Sequence, residues 1–174
     1  MATDKPINYR PRVGELVECN FGNWAIDNNF DGDISPEIFD GHIPPEMKKR
    51  RMVIVINPRL DGKSTIVVPI SSNKSNKFNS LNEILPNDLF KVTNFYDKRE
   101  RYALCNRVIT VSNKRLFQIR DKGLPIKQTL PNEIITAIQK KIIKAINAQS
   151  LINDVEKLEA EIEKLKNELN CLKK

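Results

Sequence analysis

The chain has 174 residues, 40% of them apolar and 29% charged, the balance of a protein with one sizeable folded domain and not of a collagen, a disordered polyelectrolyte or a disulfide-stapled miniprotein. Cys19, Cys105 and Cys171 are too scattered for a bridge framework or a four-ligand metal site, and they are expected as reduced thiols. The formal charge is +7; from Leu151 onward six acids meet five bases, which leaves the body of the chain at +8 and directs it toward polyanions.

Val13 to Phe21 carries the first strand signal. Residues 22–45 are rich in Gly, Asn, Asp and Pro without a sustained period, and they read as a long loop bearing a few aromatics. Met52–Pro58 and Ser64–Ser71 are β-branched runs on either side of a turn centred on Asp61-Gly62, the pattern of a hairpin. A polar excursion follows, with a short helical turn expected near Leu81–Leu85. Asp88–Val92 is a candidate strand, Arg101–Val111 a single long strand, and Leu116–Ile119 a short edge strand ahead of the turn Asp121-Lys122-Gly123.

Beyond Pro131 the period changes. Ile134, Ile135, Ile138, Ile142, Ile143 and Ile146 recur at helical spacing, with Lys140, Lys141 and Lys144 on the other side. The pattern predicts one helix running to the C terminus in two sections, the first packed on the β domain. From Leu151 the apolar spacing is strictly four then three, with Val155, Ile162 and Leu169 at position a of a heptad and Leu158, Leu165 and Leu172 at position d. β-branched a and leucine d favour a parallel two-stranded coiled coil, in which Glu161–Lys166 and Glu168–Lys173 attract across the seam and Asp154–Glu159 repels. The alternative is a segment folded back on its own domain. The expected organisation is therefore a β-barrel domain over 1–130, a helix packed on it over 131–150 and a coiled-coil extension over 151–174.

No run approaches the roughly 18 apolar residues of a membrane span, and the N-terminal residues lack the apolar core of a secretory signal, so no membrane contact and a cytoplasmic location are expected. GxGxxG, GxxxxGK[ST] and GxSxG are all missing, which removes support for nucleotide-cradling loops and a hydrolase elbow; one histidine and three remote cysteines argue against zinc chemistry, and neither metal nor cofactor is expected.

The positive signal is a run of cations, Lys48, Lys49, Arg50 and Arg51, immediately before the strand MVIVI. Adjacent cations repel unless something negative is close. Ser71 and Ser72 close the partner strand, and Lys63, Lys74, Lys77, Arg99, Arg101, Arg107, Lys114 and Arg115 fall in connections that a small barrel is able to gather on one side. Cations with hydroxyls suit a phosphodiester backbone, and Trp24, Phe30, Phe39 and Tyr96 are equally suited to stacking bases or to anchoring loops.

The ordered set RVGELVECNF (residues 12–21), Gly41-His42, EMKKRRMVI (46–54), IVVPISS (66–72) and YALCNRVITV (102–111) resembles the MazF/PemK family of toxin endoribonucleases over roughly residues 10–148. The resemblance implies a small SH3-like β-barrel, so that the fold class is mainly β with a long C-terminal helix ending in a coiled coil. It also implies a homodimer that binds single-stranded RNA, cleaves it without metal to a 2′,3′-cyclic phosphate, and is silenced by an antitoxin protein. Arg51 falls on the family's arginine, Ser71 where a catalytic threonine is usual, Glu46 on the loop glutamate, and Gly41-His42 on the GH pair of the PemK-like branch. Lys48, Lys49, Arg50, Lys74, Lys77, Asn106 and Arg107 are the expected RNA contacts. Met52, Leu104 and Asn106 depart from the family's proline, arginine and aspartate.

The chemistry asks little of the protein, because RNA brings its own 2′-OH nucleophile. Alignment, removal of one proton, protonation of the 5′ leaving oxygen and stabilisation of extra negative charge are sufficient. Arg51 suits the last task, Ser71 the orientation of an oxygen, and Glu46 or His42 the proton transfer. The competing readings are a binding module for nucleic acid without catalysis and a coiled-coil adaptor whose barrel binds protein.

Overall fold

The computed structural model describes residues 5–22, 47, 49–91, 93 and 96–172; the loop expected over 22–45 lies, after Gly22, outside them, with His42, Glu46 and Lys48. Strand β1 (Leu16–Asn20) pairs antiparallel with β2 (Arg50–Asn57), which pairs in turn with β3 (Ser64–Ser71). The β2–β3 hairpin forms where the two β-branched runs predict it. Asp61 closes its turn by accepting from the backbone N–H groups of Lys63 (2.8 Å) and Ser64 (2.6 Å), bonds that also hold its carboxyl below the usual carboxylate range.

The excursion after β3 is arranged differently from expectation. The helical turn comes early, as a 3-10 turn at Lys74–Phe78 capped by the Asn73 side chain, whereas Asn82–Leu85 is strand β4. β4 takes its backbone partners from β5 (Arg101–Leu104), so extended pairing wins over local helix. Asp88–Val92 is not a strand where it is described: Pro86-Asn87-Asp88 is turn chemistry, and a 3-10 turn occupies Asn87–Leu89.

Nor is Arg101–Val111 one strand. It breaks after Leu104 into a 3-10 turn, Cys105–Arg107, and resumes as β6 (Ile109–Ser112). Both halves pair with the same edge of β3, β5 at Ile70 and Ser71 and β6 from Ser64 to Val67. The two registers are offset by the 3 residues of the turn, which therefore bends the chain around a curved β3. The expected edge strand is also divided, into β7 (Leu116–Phe117) on β1 and β8 (Ile119–Asp121). β8 forms a small hairpin with β9 (Leu124–Ile126) through Lys122 (φ 47) and Gly123 (φ 82), the pair of positive φ angles that such two-residue turns require.

Among the described residues the main sheet runs β4-β5-β3-β2-β1-β7 with β6 beside β3, a curled antiparallel half-barrel. Alternation along its strands feeds two cores. Leu16, Met52, Ile54, Val68, Ile70 and Ala103 face Ile135 and Ile138 of helix α1 (Asn132–Ala145), while Val17, Cys19, Val53, Val55 and Val67 fill the other face, with Ile7 and Met47 against them.

The C-terminal helix is not continuous. α1 stops at a cap in which Asn147 adopts φ 60, its N–H bonds Lys144 O at 3.0 Å, and Ala148 N–H bonds Ile143 O at 2.9 Å. These are the two bonds of a Schellman motif, and asparagine tolerates the left-handed position it needs. Helix α2 (Gln149–Leu172) then begins anew, returning toward α1 so that Ile152 is buried and Glu156 meets Lys140 at 3.2 Å.

Gly14 sets the approach of α1 to the barrel: its φ is +79, and a Cβ built there would overlap Ile135 Cδ1. Gly62 has nearly the same φ, +77, but faces open space. Gly14→Ala is therefore expected to lose more stability than Gly62→Ala, by about 1 kcal/mol or more, since only the first adds overpacking to backbone strain. Equal losses in urea unfolding would show that Ile135 yields without cost.

Candidate active site

The ends of β1 and β2 form a tight neck. Phe21 N–H bonds Lys49 O at 3.1 Å and Lys49 N–H bonds Gly22 O at 2.6 Å, with Lys49 itself at φ 66. Inside this neck the arginine run is sorted by strand alternation. Arg50 shares a face with Met52, and Arg51, which pairs with Cys19, shares the opposite face with Val53.

Arg50 is engaged within the fold. Its Nη2 lies 2.5 Å from Glu18 Oε2 and its guanidinium sits 4.4 Å from the Phe117 ring centroid. Glu18 also accepts the Tyr96 hydroxyl at 2.6 Å, so Tyr96 is a loop anchor; burial, then this bond, pushes its phenol well above the usual range. Arg101 is buried on the same side, 5.2 Å from the Phe90 centroid and 5.5 Å from that of Tyr96, with its Nη2 donating to Asp97 O at 3.0 Å. Arg101 is thus not on the surface with the other cations, contrary to the gathering expected from sequence. Lys63 sits by the Asp61 turn, at the end of the hairpin remote from Arg51.

On the Arg51 face, β2 and β3 pair Val53 with Pro69, and two residues further along each strand stand Arg51 and Ser71. The pairing of the two strands is described as far as Val53 and Pro69, and Arg51 and Ser71 lie beyond it, on the same face and at the same end of the hairpin. Ser71 in turn pairs with Tyr102 of β5, whose hydroxyl donates to Glu100. The Ser71 oxygen accepts from Asn76 Nδ2 at 2.9 Å and from Asn73 N–H at 3.2 Å. With two donors on its oxygen, the hydroxyl keeps one proton to give.

Cations flank this pair. Arg107, exposed with Asn106 on the turn after β5, approaches Met47 Sδ at 3.4 Å, and Arg115 donates to Asn20 O at 3.0 Å at the end of β1. Lys74 and Lys77 are exposed on the 3-10 turn that carries Asn76. The same turn presents Phe78, 90% exposed. Sequence reasoning passed over both Asn76 and Phe78, although an aromatic in the wholly polar run SNKSNKFNS has no apolar neighbours to pack on, which is a signal for exposure. Of the departures from the family pattern, Met52 and Leu104 are buried. Burial raises the Cys19 and Cys105 thiols to about 12 and about 11, which leaves neither as a nucleophile.

A family model described as PemK-like, MazF-like toxin of type II toxin-antitoxin system matches residues 31–146. The chain belongs to this toxin family. Two relatives extend the match. An uncharacterized protein of Haemophilus influenzae strain Rd is 42% identical over 147 residues, covering 83% of this chain and 96% of its own length. The uncharacterized protein YifN of Escherichia coli strain K12 is 39% identical over 149 residues, 84% of this chain and 99% of its own. The PemK-like match ends at the cap of α1, and α2 lies beyond it. Among the described residues no helix of this toxin-family chain is long and apolar enough to cross a membrane, and no three His, Cys, Asp or Glu side chains are grouped to hold a metal ion.

Glu18 joins β1 to β2 through Arg50 and to the Tyr96 loop through one carboxylate. Glu18→Ala strands a guanidinium and a phenol together and is expected to cost about 2–4 kcal/mol, whereas Tyr96→Phe, which removes a single donor, is expected to cost about 1 kcal/mol. Guanidinium unfolding of the two variants checks the order, and a Tyr96→Phe loss as large as that of Glu18→Ala would refute the shared role of the carboxylate.

Proposed function

We propose that this toxin-family protein is a metal-independent, sequence-selective endoribonuclease that cleaves single-stranded RNA by 2′-OH attack, leaving a 2′,3′-cyclic phosphate and a 5′-hydroxyl. It acts as a homodimer and as the toxin of a pair whose antitoxin restrains it. The observation that supports the reading is that Arg51 and Ser71 fall on one face at one end of the β2–β3 hairpin, with exposed cations on the neighbouring turns.

In this mechanism the Arg51 guanidinium binds the nonbridging oxygens of the scissile phosphate and gains strength as charge builds on them in the transition state. The Ser71 hydroxyl, held from behind by Asn76 and Asn73, donates its proton as a hydrogen bond to one of those oxygens and fixes the phosphate for in-line attack. Glu46 and His42 are the candidates for taking the 2′-OH proton and supplying one to the 5′ oxygen. Arg107, Lys74 and Lys77 track the flanking phosphates, with Asn106 beside Arg107, and Phe78 offers a stacking surface for a neighbouring base.

Incubation of the purified protein with a mixed-sequence RNA in EDTA, followed by end-group analysis, tests the reaction. Cyclic phosphate ends support it; salt-sensitive binding without cleavage would replace it with the binding-only reading. Arg51→Ala is expected to lower the cleavage rate at least about a hundredfold with the fold intact. Ser71→Ala is expected to fall by about tenfold or more while Ser71→Thr retains most of the rate, because only threonine keeps the donating hydroxyl. Near-normal turnover of Arg51→Ala, or equal rates for the three residues at 71, would remove these side chains from the mechanism. Phe78→Ala is expected to raise KM by about tenfold with little change in kcat, the mark of lost stacking and not of lost chemistry.

A further inference from the structure

Helix α2 is longer than its attachment requires. Its first turns dock on α1 through buried Ile152 and the Lys140–Glu156 pair, and from there the helix runs on to Leu172. Along that length Val155, Leu158, Ile162, Leu165 and Leu169 are each between 51 and 58% exposed. These are the a and d positions of the heptad, so the exposed side chains form one narrow stripe and are not scattered around the helix. A 24-residue helix with such a stripe facing water is marginal by itself and is completed by a second helix.

We propose that the stripe is an interface for α2 of a second copy of this chain, the two helices forming a parallel two-stranded coiled coil that ties two toxin domains together outside the barrel. Three features choose this occupant. Val155 and Ile162 at a with Leu158 and Leu165 at d are the residue types that fit the parallel dimer geometry on both sides of one seam. The flanks are complementary to themselves: Glu161 at g faces Lys166 at e of an identical parallel partner, and the sequence repeats the same g-to-e spacing with Glu168 and Lys173, whereas Asp154 and Glu159 repel. That repulsive pair lies at the root of the seam, where Leu151 and Val155 continue the stripe into an apolar concavity of about 240 Å³ shared with Ile143 and Ile152. The inference does not depend on RNA cleavage, since α2 contains none of the residues assigned to the site.

The test uses the full chain and reads its self-association by sedimentation over a range of concentration. Ile162→Asp places a charge in the seam at a position exposed in the single chain, so it leaves the fold intact, which circular dichroism checks; it is expected to weaken the dimer by about tenfold or more. Glu161→Lys converts both symmetry-related pairs from attraction to repulsion and is expected to weaken it by roughly fivefold, and adding Lys166→Glu to the same chain is expected to restore the original constant. Restoration is the decisive outcome, because it requires that Glu161 and Lys166 meet across copies of the same sequence. An unchanged constant in Ile162→Asp, or a double variant no tighter than Glu161→Lys alone, would overturn the proposal and leave the stripe to a different protein.

Discussion

Strand β3 is the constraint on which the other elements depend. One of its edges carries β2; the other is divided between β6 near Ser64 and β5 near Ser71, and both faces of the sheet around it are buried. A strand shared in this way cannot slip, because a shift of one residue would turn Val67 and Val68 out of their respective cores at once. The same rigidity decides where charge appears. Arg50 and Arg51 are neighbours in the chain, yet the pleat sends one to Glu18 and Phe117 and the other to the face of Ser71. The repulsion inherent in a run of cations is relieved by sorting, with a half-buried carboxylate on one side.

That sorting also explains why the fold was more legible than the site. The hairpin at 52–71 and helix α1 declare themselves through β-branched runs and isoleucine spacing, since burial on both faces or on one helical stripe leaves a direct trace in residue type. The divided strand after Arg101 leaves no such trace. RYALCNRVITV is uniformly strand-like, and its interruption comes from the need to follow a curved partner, a property of β3 and not of the segment itself. The stop at Asn147 is similar, for isoleucine spacing continues to Ile146 and a single asparagine with positive φ ends the helix. Tertiary geometry outweighed local pattern after Leu104, and a local cap cut the periodic pattern short at Asn147.

Among the candidate site residues, Arg51 and Ser71 stand out by their place at strand ends, but that both fall on one face of the hairpin follows only from the register at Val53 and Pro69. Charge alone misled at Arg101, because a list of cations carries no information about which face each occupies; a guanidinium between Phe90 and Tyr96 is a structural strut. Hydrogen-bond polarity was equally hidden. That the Ser71 oxygen is met by a side-chain donor depends on Asn76, five residues away on a turn whose composition reads simply as polar loop.

The cap at Asn147 has a further consequence. A Schellman motif completes its own backbone bonding within Ile143 to Ala148, so α1 ends without needing a partner from the residues that follow. Beyond it α2 docks on α1 through buried Ile152 and the Glu156–Lys140 pair. The direction of α2 is therefore set by its own contacts with α1 and not by continuation of the first helix, so the turn at Asn147 is a joint whose angle depends on packing and not on backbone bonding.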